Sequence, residues 1–278
     1  MALDVWNELT VKRGKFSIDT TGDGAEFLPR DKSNLVVIGV EAVFNHINQP
    51  VPDLQYKCTN RVPYSRGIGS SSAAIVSGLV AGSAISGADL AKDELIRLAA
   101  DIEGHPDNVA PAIYGGCTVG VRHGTEEWIV DQVIVPEGLN AVIFIPETLT
   151  NTQESRSVLP DEVSRTDAIF NIGRSALLVN ALSSGRLELL KYATDDRIHQ
   201  PHRALVFKAM PHLIEAALKG GAHGAFLSGS GPSVLALSTG REVTIGYEMS
   251  EAARVFGVDG QVTIVTVSSE GASVVSSS

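Results

Sequence analysis

The sequence predicts an α+β protein. Alternating apolar–polar runs that read as strands are interspersed with apolar residues at helical spacing. The two kinds follow no strict βαβ order, and no internal repeat is visible. A length of 278 residues suits one large domain or two ordinary ones, and 44% hydrophobic against 19% charged residues fits a buried core. The formal net charge of −10, with no Lys/Arg-rich run, excludes strong nucleic-acid binding. No window reaches the run of about 18 apolar residues that a membrane span needs. The opening "MALDVWNELTVKRG" has no basic region followed by an apolar one, so it is not a secretory signal. Cys58 and Cys117 lie in no CxxC or Cys/His cluster and read as buried free thiols in a reducing compartment. A cytoplasmic or organelle-matrix protein is expected.

Element by element, "ALDVWNELTVKRG" reads as a strand with Leu3, Val5, Leu9 and Val11 in phase and Asn7 interrupting, and "GKFSIDTTGDG" as further strand with a turn at Thr21 to Gly24. "SNLVVIGVEAVFNHI" predicts a helix capped by Ser33, with Val36, Val40, Val43 and Ile47 on one face. "DLQYKCTNRVP" is a strand. "PYSRGIGSSSAAIVSG" follows, and its helix runs to about Ser86. "ADLAKDELIRLAADIEG" is an amphipathic helix with Leu95, Leu98, Ala99 and Ile102 in phase, stopped by Gly104. "IYGGCTVGVRHG", "EEWIVDQVIVP" and the dense "LNAVIFIP" are strands, and the last opens a second half. Two helical patterns follow. One spans Ser164 to Ser183 with Ile169, Ile172, Ala176 and Val179 in phase; the other spans Pro201 to Lys219 and closes at Gly220-Gly221. "GAFLSGSGPSVLALS" is strand, Gly/Pro loop, strand, and "VTIVTVSS" is a last strand.

Two stretches carry chemistry. A glycine-serine loop feeding an apolar helix presents backbone N–H groups at a helix N-terminus, where the dipole attracts an anion. The loop lacks the lysine of a Walker A motif. Its composition alone leaves a phosphate cradle and a tight structural turn both open. In "IEGHPDNVAPAIYGG", Glu103 sits in the last helical turn, where a carboxylate meets the negative dipole end at a cost of about 0.3–1 kcal/mol. A divalent cation would compensate. His105, Asp107 and Asn108 follow, locked by Pro106 and Pro111, and their density argues for a site over a polar surface turn.

"PYSRGIGSSSAA" resembles the P-x-x-x-G-L-G-S-S-A-A motif of the GHMP kinases. "EGHPDNVAPAIYGG" is similar to the form found in homoserine kinases, as are "ESRSVLP" and "HQPHR", and "GSGPSVLAL" resembles the third glycine-rich motif. The resemblance runs from Leu3 to Leu237 with the motifs in order. It implies an N-terminal domain resembling ribosomal protein S5 domain 2 (1–138) and a ferredoxin-like C-terminal domain (139–278). It further implies ATP- and Mg²⁺-dependent phosphorylation of the hydroxyl of L-homoserine, a step toward threonine. Superfamily kinases of other small acceptors, such as mevalonate, and a non-catalytic ATP-binding protein are the alternatives. Homodimers are common in the family.

The resemblance assigns Pro63, Arg66, Gly67, Ile68, Gly69, Ser70, Ser71 and Ser72 to the nucleotide phosphates, and Asn34 to the neighbourhood of adenine. Ser71 and Glu103 would hold Mg²⁺, while Ser72 stands where the motif has alanine. Arg156 and Arg203 would take the substrate carboxylate, whose shape matches a guanidinium fork. His105, Asp107, Thr152 and Gly229 would line the acceptor pocket, and Gly231 would share in the close approach of the third loop. Asp107 is the candidate base. In the alternative, Asn108, Arg156 and the metal stabilise the transition state and the proton leaves late through a phosphate oxygen. The family's first motif, of the type P-A-T-x-A-N-L-G-P-G-F-D, has no counterpart here. The expectation is a truncated chain, with reduced activity in a nucleotide-binding pseudoenzyme as the alternative. A plastid location follows if a transit peptide was lost upstream.

Overall fold

The computed structural model describes residues 1–124, 127–148 and 157–276. It divides into two compact units. The first comprises Met1–Tyr64, Gly69–Gln132 and the chain from Ser268 onward; the second comprises Ser65–Ile68 and Val133–Val267.

In the first unit, β1 (Glu8–Arg13) runs antiparallel to β3 (Leu54–Asn60), and β2 (Ser17–Gly22) lies parallel to β3 on its other side. The period of two puts Ile18, Leu54, Tyr56 and Cys58 on one buried face. α1 (Leu35–His46) and α2 (Ser70–Ser86) cover that face. Their backbones approach so closely that a Cβ on Gly78 would lie 2.3 Å from Val36 O, and one on Gly39 2.5 Å from Ile75 O. Both positions must therefore be glycine, against the helical preference for alanine. α3 (Lys92–Glu103) and α4 (Val109–Tyr114) pack on α2 through Ile75, Leu79, Leu95, Ile96 and Ile113. β4 (Cys117–His123) and β5 (Glu127–Val133) form a separate two-stranded sheet. The chain end returns to this unit: Gly116 N–H donates to Ser268 O at 2.7 Å and Ala272 N–H to Ala112 O at 2.8 Å. Burial pushes the Cys58 and Cys117 thiols up, so neither is an activated thiolate.

The second unit orders its strands β7 (Gly224–Leu227), β8 (Val234–Ser238), β6 (Asn140–Pro146), β9 (Gly260–Thr266), all neighbours antiparallel. With α8 (Met210–Gly220) between β6 and β7 and α9 (Glu242–Val255) between β8 and β9, the chain order is βαββαβ, the ferredoxin-like arrangement. Both helices pack on one face, where Leu213, Ile245 and Met249 meet Val142, Phe144, Val234 and Ala236. α5 (Arg165–Ser183), a 3₁₀ turn (Leu187–Leu189), α6 (Leu190–Ala193) and α7 (Gln200–Arg203) lie between β6 and α8. No helix among the described residues is long and apolar enough to cross a membrane.

Several elements differ from the sequence reading. The first strand begins only at Glu8, because Asn7 Oδ1 accepts from the N–H groups of Arg61 and Val62 and turns the chain aside. Asn34, not Ser33, caps α1, accepting from Val36 N–H at 3.1 Å; the Ser33 hydroxyl is bonded to Asp31. α4 forms within the acidic segment that reads as a turn, since Pro111 falls in its first turn, where no N–H is needed. The helix expected over Pro201 to Lys219 is two helices, because Pro211 starts a new one. α9 has no counterpart in the sequence reading. On α5 the in-phase Ile169 and Ile172 are 61% and 70% exposed, and the buried positions are Ala181 and Leu182 near its end. A helical stripe identifies an apolar face but not what covers it.

Candidate active site

The glycine-serine stretch is built as two connected pieces. Positive φ recurs at Ser65, Gly67 and Gly69 (54°, 75° and 80°), with Arg66 and Ile68 between them on the negative side. Alternation of this kind is the backbone pattern from which anion-binding nests are built. Gly69 is then the N-cap of α2 with no side-chain cap bond, and the first N–H groups of a helix have no partner inside it. Within the first unit, the free donors and the positive dipole end of α2 coincide at this N-terminus.

Glu103 sits against that helix start. It is the last residue of α3, as expected, and Gly104 stops the helix in the left-handed region with φ 90°. Its Oε1 accepts from Ser71 Oγ at 2.8 Å and from the buried Ser72 Oγ at 3.1 Å. Both serines lie in the first turn of α2, so the positive end of that helix meets the carboxylate and offsets the unfavourable end of α3. Compensation that the sequence reading sought from a cation is thus supplied in part by α2. Ser72, read as the odd serine of the motif, shares in holding the carboxylate.

The acidic turn follows directly. His105 Nδ1 and Asp107 Oδ1 are 2.5 Å apart, with His105 half-buried and Asp107 exposed. Asp107 Oδ1 also accepts from Asn108 N–H at 2.9 Å. Pro106 is buried against β4, where a Cβ on Gly120 would lie 2.8 Å from its ring. Asn108 begins α4 and stands beside the loop: a Cβ on Gly69 would be 3.9 Å from its side chain. Ser71, Ser72, Glu103 and Asn108 therefore gather around one helix start. Asn34 is engaged in the fold, accepting from Val36 N–H and donating Nδ2 to Pro29 O at 2.7 Å, which leaves it one amide hydrogen and one carbonyl lone pair. Pro63 precedes the loop and is half-buried.

In the second unit, the third glycine-rich loop closes on itself through Ser228 N–H to Ser233 O and Gly231 N–H to Ser228 O, both 2.8 Å. It packs on the Ser65–Ile68 turn. Ser228 Oγ donates to Gly67 O at 2.8 Å, Ser233 N–H to Arg66 O at 3.3 Å, and a Cβ on Gly67 would lie 2.3 Å from Ser228 O. Gly229 is part of the same contact, since its Cβ would meet Gly67 O at 3.3 Å. Arg66 turns its guanidinium to Glu147 O at 2.6 Å. Arg203 ends α7 and is 8% exposed, which sets it apart from a solvated surface arginine. Thr152 and Arg156 lie outside the described residues.

Sequence reasoning passed over the support beneath Arg203. Asp196 accepts from Asn171 Nδ2 and from the N–H groups of Ile198, His199 and Gln200. Burial pushes its carboxyl up, but the Gln200 N–H, the Asn171 amide and the His199 N–H together hold it below the usual carboxylate range. Burial lowers the His199 pKa, with Asp196 opposing and Arg203 adding to the shift. An aspartate just ahead of "HQPHR" is a capping signal that could have been read.

Among known proteins, the GHMP kinases N terminal domain matches residues 34–116 and the GHMP kinases C terminal domain matches residues 177–252. A homoserine kinase of Carboxydothermus hydrogenoformans is 38% identical over 98% of this chain and 89% of its own length. One of Moorella thermoacetica is 40% identical over 91% and 85%. The crystal structure of a homoserine kinase from Cytophaga hutchinsonii superposes with a TM-score of 0.87 at 27% identity, covering 97% of this chain and 89% of that one. A mevalonate kinase of L. major shares the fold at 18% identity and a TM-score of 0.69, over 97% and 89%.

Proposed function

The chain belongs to the homoserine kinases of the GHMP kinase family, and from that premise we propose that it transfers the γ-phosphoryl group of ATP to the side-chain hydroxyl of L-homoserine. The observation that carries the reading is the seat of Glu103 on the first turn of α2, which opens at the left-handed Gly69. Anion donors and an acidic oxygen at one helix start are what a metal-bound triphosphate needs.

The Ser65–Ile68 turn and the α2 N-terminus hold phosphate oxygens through backbone N–H groups. Ser71 Oγ and Glu103 fit Mg²⁺, being hard oxygen donors 2.8 Å apart. Among the described residues no group of three His, Cys, Asp or Glu forms a metal cage, so phosphate and water would complete the shell, as is usual for this ion. When bound, Mg²⁺ neutralises charge on the transferring group. Arg203 and Arg156 orient the amino-acid carboxylate, and His105, Asp107, Thr152 and Gly229 line the acceptor. Asn108 faces the reacting phosphate. Catalysis then rests mostly on positioning and charge neutralisation. A cytoplasmic homodimer belongs to the same reading, and sedimentation tests it.

ADP release with L-homoserine, mevalonate and shikimate as acceptors, under saturating Mg²⁺-ATP, tests the function. Turnover with homoserine alone is expected. Faster turnover of another acceptor, or ATP binding with no turnover of any, overturns it.

A further inference from the structure

Arg203 is carried by a helix of four residues, and a single turn of that length does not hold itself in water. The bonds that fix it start at Asp196. Its Oδ2 accepts from Gln200 N–H at 2.6 Å and His199 N–H at 2.9 Å, and its Oδ1 accepts from Ile198 N–H at 3.2 Å and Asn171 Nδ2 at 2.6 Å. The backbone donors that open α7 are thereby satisfied by one carboxylate, itself tied to α5 by Asn171. That carboxylate is 9% exposed. The amide of Gln200, 8% exposed, clamps the same turn from the other side: Leu227 N–H donates to Oε1 at 2.9 Å, and Nε2 donates to Thr194 O at 3.3 Å. Arg203 stands three residues beyond Gln200, on the adjoining part of the same turn.

We propose that Asp196 is a positioning residue for Arg203, fixing the direction of the guanidinium by capping the short helix that carries it. The inference rests on the proposed role of Arg203 in holding the substrate carboxylate. A purely packing role for this region would be met by apolar residues. A buried carboxylate with four donors returns direction instead of area, which matters where a planar fork must meet a planar carboxylate.

Steady-state kinetics of Asp196→Ala, Asp196→Asn, Arg203→Ala and the double Asp196→Ala/Arg203→Ala test it, each measured well below its own Tm. Asp196→Ala should raise the homoserine KM about tenfold, the scale of one to two lost hydrogen bonds, with the ATP KM unchanged. Asp196→Asn, which keeps one acceptor oxygen, should recover part of that. In the Arg203→Ala background the Asp196→Ala step should add nothing to the homoserine KM. A lowered Tm with an unchanged homoserine KM makes Asp196 merely structural and overturns the proposal, as does an additive double variant. If Arg203→Ala itself leaves the homoserine KM unchanged, the assignment of Arg203 fails, and that failure shows in the single variant alone. Should Asp196→Ala not fold, Asp196→Asn and its double with Arg203→Ala give the same decision.

Discussion

The Ser71 hydroxyl donates to Glu103 Oε1 at 2.8 Å, joining the first turn of α2 to the last residue of α3. Two helix ends of opposite polarity thus meet through one carboxylate. Ser72 donates to the same oxygen at 3.1 Å from a fully buried position. The two neighbours are not equivalent in the proposed chemistry, because only Ser71 is assigned to the metal.

Ser71→Ala is expected to lower kcat about a hundredfold, the scale of one missing pre-placed ligand in the transition state. It should also raise the Mg²⁺ concentration at half-saturation. Ser72→Ala should leave kcat within about threefold and reduce stability by about 1 kcal/mol, the worth of one hydrogen bond. Mg²⁺ titrations and denaturant melts of the two variants separate the effects. The reverse pattern would mean that the loop register is off by one residue.

Gly67→Ala and Gly87→Ala form a matched pair. Both glycines have φ near the left-handed region, 75° and 72°, but the first would place a Cβ 2.3 Å from Ser228 O while the second meets nothing within 4 Å. Gly87→Ala carries only the left-handed penalty, about 1–2 kcal/mol, with kinetics unchanged. Gly67→Ala must also push two glycine loops apart, so its ATP KM should rise at least about tenfold, since displacing phosphate donors weakens ground-state binding. Equal kinetics in the two variants would show that the contact of the loops has no part in nucleotide binding.

Much of this was legible in the sequence. The helix ending at Ser86, the stop at Gly104 and the buried β6 followed from local apolar composition and punctuation. What escaped depends on partners distant in the chain. Asn34 outcompetes Ser33 as cap because Asp31 takes the Ser33 hydroxyl. Gly39 and Gly78 look like weak points in two helices until each is seen against the other's backbone. At the site, the residue types of Ser71 and Glu103 are readable, but a pairing across 32 residues is not, nor is the share that Ser72, standing where the motif has alanine, takes in holding the same carboxylate.

Asp196 sets a pH dependence of stability. Its folded pKa lies below the ordinary aspartate range, so its contribution is present in full above the unfolded pKa and is lost as pH falls through the folded one. The Tm difference between the parent protein and Asp196→Asn should be largest near neutral pH and shrink below about pH 4, where an unfolded aspartate protonates. Melts from pH 7 to pH 3 check this. A difference that stays constant with pH would mean that the charge of Asp196 contributes nothing.

Asp107→Asn addresses whether the acceptor hydroxyl needs a base. Asp107 Oδ1 already takes the Asn108 N–H at 2.9 Å and lies 2.5 Å from His105 Nδ1, so the carboxylate is held in place by its own turn. An amide can preserve the Asn108 bond through its oxygen, which leaves proton acceptance as the main difference between the variants. If Asp107 takes the hydroxyl proton in the transition state, kcat should fall about 10²–10⁴-fold, the usual reach of general base catalysis, with the homoserine KM little changed. Near-normal turnover would assign the proton to a phosphate oxygen and leave positioning and charge neutralisation to carry the reaction. A rise in homoserine KM with kcat intact would instead make Asp107 a substrate-binding group, facing the ammonium and not the hydroxyl.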